Sequence, residues 1–284
     1  MYTVFDSHLL RLPNKTEEMI DLVCEHGIAG VGVDLRLLDD ERAALETARK
    51  VWDHDLGWGI LRTPVDFYAA KVTDEIFDDA VETFRRHCGV AEKMGVRYCY
   101  NHVWSSSDER GYKENFAWHV RRIQRVSRVA NEHGIRYGLE FLGPHELRNR
   151  YRHEFVHTIN GVLALADAAG GKAGFLFDTY HWYCEGARMD DLYFALQHVD
   201  RMCGFHVNDG ILGRTREEQK DFERAMPLTT GVIDSKKPYK LFEKYGYVGP
   251  VVCEPTEPCI TNAQDMTLEA CVKMFADAYR RLEA

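Results

Sequence analysis

The feature that most restricts the fold of this chain is a junction that recurs along it: an amphipathic stretch ends in glycine, and a short apolar run begins. Glu25-His26-Gly27 precedes the run 28–34, and Lys93-Met94-Gly95 precedes 96–101. Glu132-His133-Gly134 precedes 135–140, and Lys244-Tyr245-Gly246 precedes 247–254. Glycine just past a helix end supplies a left-handed cap. A β-branched or aromatic run of that length suits a buried strand. Apolar residues in the preceding or matching stretches repeat at i, i+3, i+4, as an amphipathic helix requires. Phe77, Val81, Phe84, Cys88 and Ala91 do so, as do Phe116, Val120, Ile123, Val126 and Ala130, and later Cys271, Met274, Phe275, Ala278 and Leu282.

Weaker strand runs at 2–6, 57–61, 173–177 and 202–207 bring the count to eight strands alternating with eight helices. Over 284 residues that is about 35 per unit, close to the ~30 or more a βα unit needs. Strict alternation makes the strands parallel, and eight of them close on themselves. The predicted fold is α/β, a single-domain (β/α)8 TIM barrel over residues 1–284. A doubly wound open sheet is the rival. It would more often carry a glycine fingerprint after its first strand, where this chain has Asp6-Ser7-His8-Leu9-Leu10-Arg11.

Lys plus Arg number 36 and Asp plus Glu 45, a net charge of −9, which argues against a nucleic-acid partner. No apolar run approaches the ~18 residues of a membrane span, and the first residues lack the pattern of a signal peptide. None of the eight cysteines forms CxxC, which fits free thiols in a reducing cytoplasm.

Four successive predicted strands finish on a side chain that can bind a divalent cation: Glu140, Asp178, His206 and Glu254. Strand ends ring one mouth of a barrel, so these groups can converge. Clustered carboxylates repel unless protonated or neutralised. Three carboxylates and an imidazole suit one divalent cation, with Mn²⁺ first on its preference for oxygen and Mg²⁺, Co²⁺ or Zn²⁺ as alternatives. One polar residue at a strand end is commonplace; four in succession are not.

The same segments resemble the sugar isomerase/epimerase branch of the xylose-isomerase-like TIM barrels. Gly138-Leu139-Glu140-Phe141-Leu142-Gly143-Pro144 is similar to its strand-5 motif, and Phe177-Asp178-Thr179-Tyr180-His181-Trp182 to its strand-6 motif. His206-Val207-Asn208-Asp209 and Val252-Cys253-Glu254-Pro255 resemble strands 7 and 8. The resemblance implies Glu140, Asp178, His206 and Glu254 as metal ligands. It implies substrate contacts at His181, Glu146 and Arg224, for which a packed histidine, a solvated glutamate and a surface ion pair are the plain alternatives. His102 and Trp104 follow strand 4 and could wall a sugar ring, or simply pack. Where relatives usually carry Pro-Gly-x-Gly, this chain has Pro227-Leu228-Thr229-Thr230-Gly231.

The chemistry expected of such a site is proton transfer through a metal-stabilised ene-diolate of a keto-sugar or related polyol ketone. Glu140 and Glu254 are the two candidate proton carriers. Return of the proton to the opposite face is epimerisation and to the neighbouring carbon isomerisation. Loss of a β-leaving group makes a lyase or dehydratase, including one that cleaves keto-glycosides. The partner is a small carbohydrate, with no nucleic acid and no membrane, and by fold analogy the chain forms a dimer or tetramer. The long connection 208–235 leaves strand 7 and is expected to cover the site.

Two other motifs compete. His153-Glu154-Phe155-Val156-His157 is a literal HExxH, expected at the start of the fifth helix and outside the barrel, but position 160 is Asn and the extended zinc-protease form fails. Asp178 and His181 also fit the spacing of an abasic-site endonuclease. That chemistry needs more histidines at strand ends than the chain offers.

Overall fold

The computed structural model describes residues 1–64 and 72–284. Eight staves form the barrel: β1 (Tyr2–Val4), β2 (Gly30–Val31), β3 in two halves (Gly57–Trp58 and Leu61–Arg62), β4 (Tyr98–Val103), β5 (Arg136–Phe141), β6 (Gly174–Asp178), β7 (Met202–Val207) and β8 (Pro250–Cys253). Eight helices alternate with them: α1 (Ile20–Glu25), α2 (Glu41–Asp53), α3 (Asp74–Met94), α4 (Tyr112–Glu132), α5 (Ile159–Ala168), α6 (Met189–Gln197), α7 (Lys236–Lys244) and α8 (Leu268–Glu283). All neighbouring staves pair in parallel.

Seven strand segments form one curled ladder running from β1 through β8, β7, β6, β5 and β4 to the second half of β3. The first half of β3 pairs with β2, and a bridge between Phe5 and Val31 joins β2 to β1. The Phe5 amide donates to the Gly30 carbonyl at 3.0 Å and the Gly32 amide to the Phe5 carbonyl at 2.9 Å, which closes the ring. The β2 and β3 staves are shorter than the sequence leads one to expect. Backbones crowd there: a Cβ on Gly30 would stand 2.8 Å from the Gly57 carbonyl oxygen, and one on Gly57 would stand 2.7 Å from the Tyr2 ring. Glycine permits the approach but weakens the strand.

The four junction glycines, Gly27, Gly95, Gly134 and Gly246, all have positive φ, between 66° and 84°. Starts are marked as clearly. Thr73, Thr158 and Thr267 each accept a backbone N–H at the N-terminus of α3, α5 and α8. The helices pack on the outside of the sheet in one continuous apolar layer. Inside the barrel a smaller cluster of Val4, Ile60, Tyr100, Leu176, Cys203 and Val252 fills the lumen. That plug is the floor on which the mouth stands.

All eight cysteines are unpaired. Among the described residues no helix is long and apolar enough to cross a membrane.

Candidate metal centre and active site

The ends of β5 to β8 bring four side chains together because the ladder offsets them by zero or two residues, which keeps all four on the same, inward face. His206 lies opposite Asp178, and Cys253 opposite Val207, which places Glu254 one residue further at the mouth. Glu140 lies opposite His102 on β4. One ligand atom from each of Glu140, Asp178, His206 and Glu254 falls within 4.8 Å of the others, and all four residues are buried. His206 Nδ1 is 3.2 Å from both Glu140 Oε1 and Glu254 Oε2, and 3.9 Å from Asp178 Oδ2.

Local structure decides which carboxylate oxygen faces inward. Asp178 caps the short helix Thr179–Cys184. Its Oδ1 accepts from the Tyr180 amide at 2.5 Å and from Asn208 Nδ2 at 3.0 Å. Oδ2 is left for the centre. The other groups at the mouth come from neighbouring loops. Arg224 Nη1 donates to Asp178 Oδ2 at 3.0 Å and to Glu254 Oε2 at 2.6 Å, while its Nη2 donates to Asp221 Oδ1 at 2.6 Å. His102 Nε2 stands 2.9 Å from Glu140 Oε2. His181 is buried, with Nε2 3.9 Å from Glu140 Oε1 and 3.4 Å from Arg224 Nη2.

The charge balance of these groups is one that a cation could settle. Burial raises the Asp178 carboxyl to about 8, with Glu254 and Glu140 adding repulsion against the pull of Arg224. Burial also opposes a charged His206, yet Glu254 and Glu140 outweigh it and raise the imidazole to about 10. Burial pushes Glu140 upward, but His206 and His102 hold it well below the ordinary range. His181 is lowered to about 4 by burial and by Arg224. Despite their short separations, neither Glu140 oxygen nor His206 Nδ1 has an aligned hydrogen-bond partner. Unsatisfied buried donors and acceptors are costly. A hard or borderline divalent cation would satisfy all three and remove the repulsion.

Above the quartet lies a cavity of about 320 Å³. His102, Trp104, Arg224 and Glu254 line it, as sequence reasoning expects of a site, together with Leu9, Arg62, Leu142 and Phe222. The connection 208–235 contributes Asp221, Phe222 and Arg224 to this rim. Glu146 Oε1 accepts from the Asp221 amide at 2.6 Å, which ties it to the same connection. Three contributors escape the sequence reading. Arg62 Nη2 lies 3.8 Å from Glu254 Oε1, Tyr100 stands edge-on to His206 at 5.5 Å, and Asn208 orients Asp178. Arg62 and Asn208 also stand at strand ends, so the same positional rule could have found them; Tyr100 lies within a strand and carries no such signal.

The HExxH segment is not helical, contrary to the expectation. His153–Glu154 forms a short strand with Ser106–Ser107, and α5 begins only at Ile159. Helical i, i+4 geometry is what brings two such histidines to one metal, and here His157 instead pairs with Glu185 at 2.8 Å and Glu154 at 2.9 Å.

A closed parallel α/β barrel with a buried carboxylate and imidazole cluster at the C-terminal mouth defines the class. The model of the xylose isomerase-like TIM barrel family matches residues 20–273, and the chain belongs to that family. Solved structures agree with the fold. A xylose isomerase domain protein from Alicyclobacillus acidocaldarius superposes with a TM-score of 0.81 at 23% identity, covering 99% of this chain and 97% of that one. The IolI protein with a zinc atom gives 0.79 at 16%, covering 99% and 98%. D-psicose 3-epimerase with D-tagatose from Clostridium cellulolyticum H10 gives 0.75 at 14%, covering 100% and 98%.

Proposed function

We propose that the chain is a single-domain, divalent-metal-dependent isomerase or epimerase of a keto-sugar or related polyol ketone. The observation that carries this reading is the convergence of Glu140, Asp178, His206 and Glu254 within 4.8 Å at the barrel mouth. The zinc in the IolI structure and the ketose specificity named for the psicose epimerase support it.

In this reading Glu140, Asp178, His206 and Glu254 hold the cation, with Mn²⁺ the first choice. A bound divalent cation would stabilise negative charge developing on a substrate oxygen beside the carbonyl. Glu140 and Glu254 approach His206 Nδ1 from different strands, so one can take the proton next to the carbonyl and the other can return it. Arg224 and His181 orient a substrate hydroxyl, Trp104 and His102 wall the ring, and Glu146 acts through the connection that it anchors. Phe222 covers the mouth and excludes water.

Keto-sugars incubated in D₂O with the metal-loaded protein should gain deuterium beside the carbonyl. Glu254→Gln keeps an oxygen ligand but has no basic carboxylate, so exchange should fall by ~10² or more at saturating metal. Full exchange in the Glu140→Gln, Glu254→Gln double variant would refute the mechanism.

A further inference from the structure

The cavity above the quartet shares part of its lining with a neighbour. A second chamber of about 380 Å³ adjoins it, and the two share His8, Leu9 and Arg62. Arg62 forms the neck. Its Nε donates to the Tyr100 hydroxyl at 3.1 Å and its Nη2 lies 3.8 Å from Glu254 Oε1, so the chamber opens one side chain away from the quartet.

The second chamber is chemically unlike the first. Its charged groups are engaged with one another. Arg36 donates to Asp34 from Nε at 2.9 Å and from Nη2 at 2.7 Å, and His8 Nδ1 stands 3.2 Å from Asp6 Oδ1. Leu9, Leu12, Pro13, Val33, Leu35 and Ile60 supply the rest of the wall. Leu35 is 39% exposed. A free sugar, hydroxylated on every carbon, gains little from such a wall, and desolvating its hydroxyls against aliphatic carbon is costly. An apolar group gains from it. The first chamber alone, about 320 Å³, lies at the bottom of the ~300–1,000 Å³ range of small-molecule sites; the two together offer about 700 Å³.

We propose that the substrate is a carbohydrate bearing an apolar substituent, an alkyl or aryl aglycone, with the sugar at the quartet and the aglycone in the second chamber. This rests on the carbohydrate reading above and adds to it which sugars are taken. Leu35 and Val33 become specificity-determining residues, and Arg62 stands between the two moieties.

The test compares the 3-keto derivatives of phenyl and methyl β-D-glucopyranoside, which carry the ketone that the reading above requires, titrated calorimetrically into the metal-loaded full chain. The phenyl derivative should bind about tenfold more tightly or better, the scale of burying an aromatic ring. In Leu35→Asp the ratio of the two affinities should collapse toward one. Leu35 is partly exposed, and a thermal melt confirms that this variant folds. Val33→Ser gives an independent second reading of the same ratio. Equal affinities in the unaltered protein, or a ratio that survives both substitutions, would overturn the aglycone chamber and leave the metal-dependent reading standing. Failure of both derivatives to bind would remove the carbohydrate reading and the chamber's occupant together.

Discussion

Arg224 donates from one nitrogen to Asp178 and Glu254 and from another to Asp221, and its guanidinium lies 4.7 Å over the Tyr180 ring. Burial opposes its charge, but Asp221, Glu254 and Asp178 together keep it firmly protonated. A cation in the quartet would draw on the same Asp178 and Glu254 oxygens. Removing one partner of a buried ion pair costs about 3–5 kcal/mol, because the other charge is stranded. Arg224→Met should therefore lower the melting temperature of chelator-treated protein strongly and that of cation-saturated protein much less. Equal losses under the two conditions would show that guanidinium and cation do not share those oxygens.

The connection between β7 and α7 is tied to itself by one carboxylate. Asp209 Oδ2 accepts from the Thr230 and Gly231 amides at 2.9 Å each, and Oδ1 accepts from Gly210 at 2.9 Å and Ile233 at 2.8 Å. Gln219 adds a second tie, receiving from the Ile211 amide and donating to its carbonyl. Leu228 sits in this connection with φ of 58°, a conformation that leucine rarely adopts. Asp209→Ala strands several amides, each bond to a charged acceptor being worth about 1.5–3 kcal/mol. The expected result is faster proteolysis between 210 and 235 and impaired turnover, with metal stoichiometry unchanged. Loss of metal with the connection still protease-resistant would contradict this. In α4, His119 Nδ1 donates to the Asn115 carbonyl at 2.8 Å. Burial, with Arg110 and Arg122 nearby, lowers His119 from 6.5 to about 4. Between those values the unfolded chain holds more protons than the folded one, so stability falls as pH drops from 6.5 toward 4. The loss approaches about 3 kcal/mol at about 1.4 kcal/mol per unit. Stability measured against pH should slope less in His119→Gln; an identical acid limb would refute the assignment.

Closure of the barrel separates two cores, an apolar layer between sheet and helices and a small plug in the lumen. The plug lies beneath the four buried polar side chains of the mouth. Outside, Leu212 and Val248 are 72% and 66% exposed. Singly scattered side chains of this kind are ordinary, so a dimer or tetramer is expected on fold analogy. Sedimentation at working concentration should show it, and a stable 32.8 kDa monomer would refute it.

Helix ends, strand order and the mouth residues were legible because they depend on short-range chemistry. Gly27, Gly95, Gly134 and Gly246 announce helix ends by a backbone requirement that no other residue meets as cheaply. Glu140, Asp178, His206 and Glu254 announce the mouth because each stands within one residue of a strand's C-terminal end, on the inward-facing alternation. Three-dimensional packing decided the rest. The split of β3 and the brevity of β2 follow from the crowding of Gly30 and Gly57 against chain 27 or more residues away. The strand at His153–Glu154 exists because Ser106–Ser107 is beside it, which no helical periodicity could reveal. The hydrogen bond of Glu146 depends on an amide 75 residues further on. That two chambers share His8, Leu9 and Arg62 depends on the N-terminal loop meeting the end of β3. Local signals report what a segment prefers; which groups share a charge, a hydrogen bond or a cavity is settled only when distant segments meet.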